Sequence, residues 1–302
     1  MSKAAFWVWI SAIVFSAMWP ASLPAGTLPD TTKSVDIKSA ETKASISDTF
    51  PLRAQYRVPV ITTAELSQRY DQVVIVDVRS KYEYETLRVK DALHISVTDR
   101  NFVEELRALR DKTNKPIVFY CNGKTCHKSY DAVVMATRMQ IADVLCYDAG
   151  IADWAKAQPN RTALFGNSPI QLTSLISAER FKEHLLDPKE FEASIGAKAL
   201  VVDVRDRAQR DTLLFPGREL RSQLDDHRML GLIIEKAKQE NKTLLIYDQV
   251  GKQVEWFQYY LESRGVKDYY FMKGGAKAYY DATHGNAFTT GKIEPLKVKQ
   301  AP

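Results

Sequence analysis

Cysteine is scarce in this chain, with three residues in 302, too few for a disulfide framework. Charge of one sign does not cluster either. The formal net charge is +5, yet no run of five basic residues occurs. That argues against a nucleic-acid arm, and no aromatic-plus-basic pattern marks a strand-binding groove. Beyond Pro20 no apolar run is long enough to span a membrane, and no cysteine follows the first apolar run to carry a lipoprotein anchor. Hydrophobic content of 45% and charged content of 26% place the chain among ordinary globular proteins, long enough for two domains.

The N-terminus is the first informative segment. Lys3 precedes AAFWVWISAIVFSAMWP and then the small-residue stretch ASLPAG. A short positive region, an apolar core and a small-residue exit read as a secretory signal over residues 1–25, cleaved near Ala21 to Ala25. The alternative is an uncleaved anchor. Either way the folded part is expected outside the cytoplasm, in a bacterial periplasm. Residues 26–50, rich in Ser, Thr, Lys and Asp, read as a flexible linker. An exported chain that keeps three cysteines either pairs them or uses one.

The remainder is a repeat. VVIVDVRS answers to ALVVDVRD, setting Asp77 opposite Asp203 and Arg79 opposite Arg205 at an offset of 126. PIVFYC answers to TLLIYD, with Cys121 opposite Asp248 at 127, and Gly150 and Trp154 stand opposite Gly275 and Tyr279 at 125. Three anchors holding one offset within two residues indicate duplication. Continuous apolar runs at 73–78, 116–120 and 144–147 predict buried parallel strands, and amphipathic patterns at 100–110 and 128–139 predict the helices between them. PNRTALFGNSP reads as the linker between halves, and residues 176–186 as a helix restarting the pattern. The expectation is an α/β chain of two tandem domains, 51–160 and 161–292, each a parallel sheet flanked by helices.

Ligands of open parallel sheets bind at the carboxyl ends of strands, where following helices present their N-termini. Cys121 ends the strand IVFY, the loop NGKTCH follows, and a helix is predicted from Lys128. Backbone N–H groups of such a loop hold an anion and stabilise a thiolate, so the Cys121 thiol is expected to titrate low and act as a nucleophile. Asn122, Gly123, Lys124, Thr125, Cys126 and His127 are the candidate substrate-binding residues. Lys128 adds a further nearby charge. A buried structural thiol is the competing reading of Cys121.

Order and spacing of these features resemble the rhodanese (thiosulfate sulfurtransferase) superfamily, whose members carry a strand ending in DVR, a glutamate, a Gly-His-Ile-Pro-Gly-Ala-like segment, a cysteine after a strand and a late Gly-Gly. DVRSKYEYETLRVKDALHIS lines up without a gap, matching Asp77, Arg79, Glu83 and Ala92. Leu87-Arg88 and Lys90-Asp91 depart from the family's Gly-His and Pro-Gly. The second copy keeps Pro216-Gly217 but has Gln209 in place of the glutamate. The resemblance covers roughly residues 55 to 290 and implies a tandem form with a live first domain and an inactive second. It implies sulfane-sulfur transfer, in which Cys121 accepts sulfur from a small sulfur-containing anion or a persulfide and passes it to a thiophilic acceptor, a protein among the candidates. Asp77, Arg79, Glu83 and Arg88 would support the site. No cofactor, metal, nucleic acid or membrane partner beyond the signal segment is implied.

The loop departs from the thiosulfate-using pattern, which places an arginine after the cysteine and a basic or hydroxyl residue near the loop's end; here Asn122 and Cys126 hold those places. No arginine falls between Cys121 and Arg138, which argues against oxyanion chemistry of the phosphatase or arsenate-reductase kind. Cys126 can pair with Cys121, resolve an oxidised form of it, or simply pack the loop. A metal site from Cys121, Cys126 and His127 lacks a fourth ligand. Cys146 reads as core, and His94, His184, His227 and His284 have no partner spacing. Asp248 cannot carry a persulfide. Three functions therefore stand: a sulfurtransferase, a non-catalytic sulfur-carrier or partner-binding module, and a thiol redox protein using Cys121 and Cys126.

Overall fold

The computed structural model describes residues 49–210 and 212–285. The signal segment at 1–25 and the linker through residue 48 lie outside the described residues. Among those described, no helix is long and apolar enough to cross a membrane.

The first half contributes β1 (Val74–Asp77), β2 (Leu87–Val89), β3 (Leu93–His94), β4 (Ile117–Tyr120), β5 (Val144–Tyr147) and β6 (Thr162–Leu164). Its main sheet runs β3-β1-β4-β5, all parallel, and Val60 forms a parallel bridge to Cys146 beyond β5. The second half contributes β7 (Leu185–Leu186), β8 (Ala199–Asp203), β9 (Glu219–Arg221), β10 (Thr243–Tyr247) and β11 (Tyr269–Met272), ordered β7-β11-β10-β8-β9 and again all parallel. With Val60 standing where β7 stands, the two sheets have the same order. They also share a register: Asp77 faces Tyr120 as Asp203 faces Tyr247. The duplication seen in the sequence is thus repeated in topology, as two parallel α/β sheets flanked by helices.

Why the strands read as unbroken apolar runs is visible in β4, whose four residues are all buried. Along it the side chains alternate between faces. Val118 and Tyr120 join a core with Ile75, Trp154, Leu244, Ile246 and Trp256, while Ile117, Phe119 and Cys121 join one with Val76, Phe102 and Val133. The first of these cores runs through both halves, and a third, around Phe191, Leu245 and Tyr247, backs the second sheet.

Two expected segments differ. The stretch read as an interdomain linker is structured: Thr162–Leu164 form β6, antiparallel to β2, with Leu87 opposite Leu164 and Val89 opposite Thr162. Buried Leu87, Val89 and Ala163 drive that pairing, and the Trp154 indole donates to the Arg161 carbonyl at 2.9 Å to hold it. The predicted helix over 176–186 covers only Ala178–Lys182, with Ser177 capping its N-terminus. Leu185 and Leu186 leave it as β7 because the edge of β11 offers Phe271 and Met272 as ladder partners, a tertiary gain that local periodicity does not show.

Candidate active site

Strand β1 ends in Asp77, and its carboxylate receives the buried Arg79 side chain. The Arg79 Nη2–Asp77 Oδ2 contact is 2.6 Å, and both side chains are fully buried. Arg79 also donates to the Leu87 carbonyl at 2.6 Å and to Asn122 Oδ1 at 3.1 Å. Burial alone would lower the Arg79 pKa, but Asp77 raises it above the ordinary value, so the guanidinium stays charged. Asn122 in turn donates to Glu83 Oε1 at 2.7 Å. Glu83 is fixed by a capping box with Ser80 at the start of the helix Lys81–Thr86. Burial works to raise the Glu83 carboxyl, yet Arg79, Lys128, Asn122 and Ser80 together hold it below its usual range. Asp77, Arg79, Asn122 and Glu83 are therefore one hydrogen-bonded chain that passes through the residue following Cys121. Arg88 lies apart from it, stacked 4.8 Å over the Tyr84 ring.

The loop from Cys121 to His127 closes on itself through the Cys126 N–H bond to the Gly123 carbonyl at 2.8 Å, and the helix Lys128–Arg138 follows. Gly150, at φ +68°, packs so closely beneath the loop that an added Cβ would lie 2.4 Å from the Gly123 nitrogen. Gly275 does the same in the second half, where its Cβ would lie 2.5 Å from the Asp248 carbonyl oxygen. The basic residues around the loop are paired: Lys124 with Asp153 at 3.2 Å, Lys128 with Glu83 at 3.7 Å, and exposed His127 with Asp131. Thr125 is exposed. Among the described residues, no group of His, Cys, Asp and Glu side chains is arranged to hold a metal ion.

The thiols differ from the sequence-based expectation. Cys121 is fully buried, its Sγ 3.3 Å from both the Cys126 carbonyl oxygen and Ser129 Oγ. Burial pushes its thiol well above the ordinary value, and the bond to Cys126 adds to that. The expected depression falls instead on Cys126, lowered to about 6 by the Cys121 thiol and by the backbone N–H groups of Asn122 and Lys128. The physical reason is that Cys121 lies buried in the apolar layer with Phe119 and Val133, where a charged form is costly, while Cys126 is only partly covered. All three cysteines are free. Cys146 is buried, as expected of a core residue, and its Sγ lies 3.4 Å from the same Ser129 hydroxyl.

Five contributors were not read from the sequence. Ser129 links two thiols from the first turn of the helix, a position where a small polar residue after the loop was the available signal. Arg53 pairs with Asp148 at 2.6 Å, and Tyr130 donates to the same carboxylate at 2.6 Å, bracing the end of β5. Trp256, from the second half, lies 4.9 Å from the Arg79 guanidinium, a cation–π contact that only the tertiary fold creates.

In the second half the loop holds its own anion. The Asp248 carboxylate accepts N–H bonds from Val250 at 3.0 Å, Gln253 at 2.6 Å and Val254 at 3.3 Å, and also from Gly251. The buried pair recurs as well, with Arg205 on Asp203 at 2.8 Å.

Residues 62–157 match the family described as Rhodanese-like domain. No curated protein sequence matches the chain. Among solved structures, a thiosulfate sulfurtransferase from Pseudomonas aeruginosa is 17% identical with a TM-score of 0.35, over 74% of this chain and 42% of that one. A rhodanese-like domain from Anabaena is 21% identical, TM-score 0.32, over 37% of this chain and 83% of that domain. A protein from Bacillus halodurans is 18% identical, TM-score 0.33, over 49% and 98%. The rhodanese-like match over residues 62–157 supports sulfur transfer as the general chemistry of that domain.

Proposed function

We propose that this chain, bearing a rhodanese-like domain over residues 62–157, is an exported sulfurtransferase that moves sulfane sulfur through a persulfide on Cys121 to a thiophilic acceptor. The observation that carries the reading is the placement of Cys121 at the head of a loop that closes through the Cys126 N–H to Gly123 carbonyl bond and is braced by the Asp77–Arg79–Asn122–Glu83 chain. A persulfide anion is larger and more diffuse than a thiolate, and a loop of N–H donors suits its charge without a dedicated cation. Lys124, His127, Lys128 and Arg79 are each paired with a carboxylate, which favours a singly charged persulfide donor over a dianion such as thiosulfate. The second domain, with a carboxylate in place of the thiol, serves as a wall: Trp256 covers Arg79, and Tyr82 meets His227 at 6.5 Å between ring centres. Export rests on the signal-like residues 1–25.

The test is turnover. Sulfur transfer from an alkyl persulfide to cyanide or a thiol is expected to fall to background in Cys121→Ser, with faster turnover of wild type on the persulfide than on thiosulfate. Undiminished transfer in Cys121→Ser would remove the proposal.

A further inference from the structure

The two copies of the loop differ in what the residue at their head does. In the second copy the carboxylate of Asp248, the residue after β10, reaches into the loop and takes its N–H groups. In the first, Cys121 follows β4 at the same place, but its sulfur lies against Ser129. Cys126 folds back over it: its N–H closes on the Gly123 carbonyl at 2.8 Å, and its own carbonyl oxygen lies 3.3 Å from the Cys121 Sγ. The first loop is also one residue longer, reaching its helix at Lys128, seven residues after Cys121, whereas Val254 comes six after Asp248. Cys121 is 0% exposed, so a donor cannot touch it with the loop in this conformation, while Cys126 is only partly covered. A cleft of about 410 Å³ is lined by His127 and Lys128, the two residues after Cys126, with Tyr56, Val97, Asp131 and Arg138.

We propose that Cys126 is the entry thiol of a two-cysteine relay, taking sulfur from a persulfide donor seated in this cleft and handing it inward to Cys121. The proposal rests on the sulfur-transfer reading of the site and assigns its first step. The Cys126 thiolate attacks the outer sulfur of R–S–SH; a Cys126 S–S bond forms, the donor's S–S bond breaks, and R–S⁻ leaves with the electron pair while the proton stays on the transferred sulfur. In the second step the Cys121 sulfur attacks the outer sulfur of Cys126–S–SH, the Cys126 S–S bond breaks, and the Cys121 proton passes to the Cys126 sulfur as it leaves. The products are Cys121–S–SH and Cys126–SH, with no external oxidant or reductant. The 3.3 Å contact from Cys121 Sγ to the Cys126 carbonyl oxygen sets the two residues side by side along this path. Arg138, at the far wall of the cleft, makes no ion pair among the described residues and suits the carboxylate of a small thiol carrier.

Lys124 separates the two cysteines, so tryptic peptides report them independently. The full chain is mixed with an alkyl persulfide, quenched with an alkylating agent at intervals, and mapped. In wild type, labelled sulfur is expected on Cys126 before Cys121. In Cys121→Ser it accumulates on Cys126, and in Cys126→Ser and Cys126→Ala loading of Cys121 slows at least about 10-fold, with thermal melts confirming that both variants are folded. Loading of Cys121 at the wild-type rate in the Cys126 variants would overturn the relay while leaving sulfur transfer at Cys121 intact. Sulfur on neither cysteine of wild type would overturn both.

Discussion

At the scale of single residues the loop divides labour between two thiols of opposite character. The Cys126 thiol is lowered by its surroundings in the loop, and burial pushes the Cys121 thiol up and keeps it protonated. Alkylation against pH is therefore expected to show one fast thiol with a midpoint near 6, assigned to Cys126, against about 8.5 for a free cysteine. Cys121 should react only after unfolding. A fast thiol mapping to Cys121 would reverse this account. Because Cys126 titrates lower folded than unfolded, its contribution to stability is complete above about pH 8.5 and is lost as the pH falls through about 6. Asp248 performs the corresponding service in the second loop as a fixed internal acceptor. Asp248→Ala leaves its N–H partners without it and is expected to cost on the order of 3 kcal/mol in denaturant unfolding. Asp248→Cys should not load sulfur, since the shorter loop has no second cysteine to turn inward.

At the scale of elements the two glycines beneath the loops give a matched comparison. Each has positive φ and a Cβ position already occupied by loop backbone, so alanine at either is expected to cost about 1–3 kcal/mol. Gly150→Ala should also displace the Cys121 loop and slow sulfur loading, whereas Gly275→Ala should lower stability and leave loading unchanged. Equal effects on loading would show that Gly150 does not position the site. Much of this level was legible in the sequence. The strand runs, the helix after Cys121, the duplication offset and the Asp77–Arg79 pair follow from apolar runs and repeat spacing that local physics enforces. The short strands β6 and β7 were not legible, because three- and two-residue strands exist only through the partner edge that receives them. Nor was the inversion of the two thiols, since spacing alone does not say which sulfur is buried beneath the loop. Trp256 on Arg79 lay beyond reach for the same reason, being a contact between residues 177 apart in the chain.

At the scale of the whole molecule, one core cluster passes through both halves and the Arg79–Trp256 and Tyr82–His227 contacts lie along it. Unfolding is expected to be a single cooperative transition, checked by agreement of calorimetric and van't Hoff enthalpies; two separate transitions would show the halves to be independent. Trp256→Ala, which opens this shared core, should destabilise by about 3–5 kcal/mol and weaken the hold on Arg79. The second half thus matters to the site without chemistry of its own. The central claim, that the first loop carries sulfane sulfur on its cysteines, is tested most directly by the intact mass of the full chain after incubation with an alkyl persulfide and removal of excess donor. The account predicts the gain of one sulfur atom, reversed by cyanide and absent from the Cys121→Ser, Cys126→Ser double variant. A wild-type mass that does not change, or a gain that persists in the double variant, would contradict it.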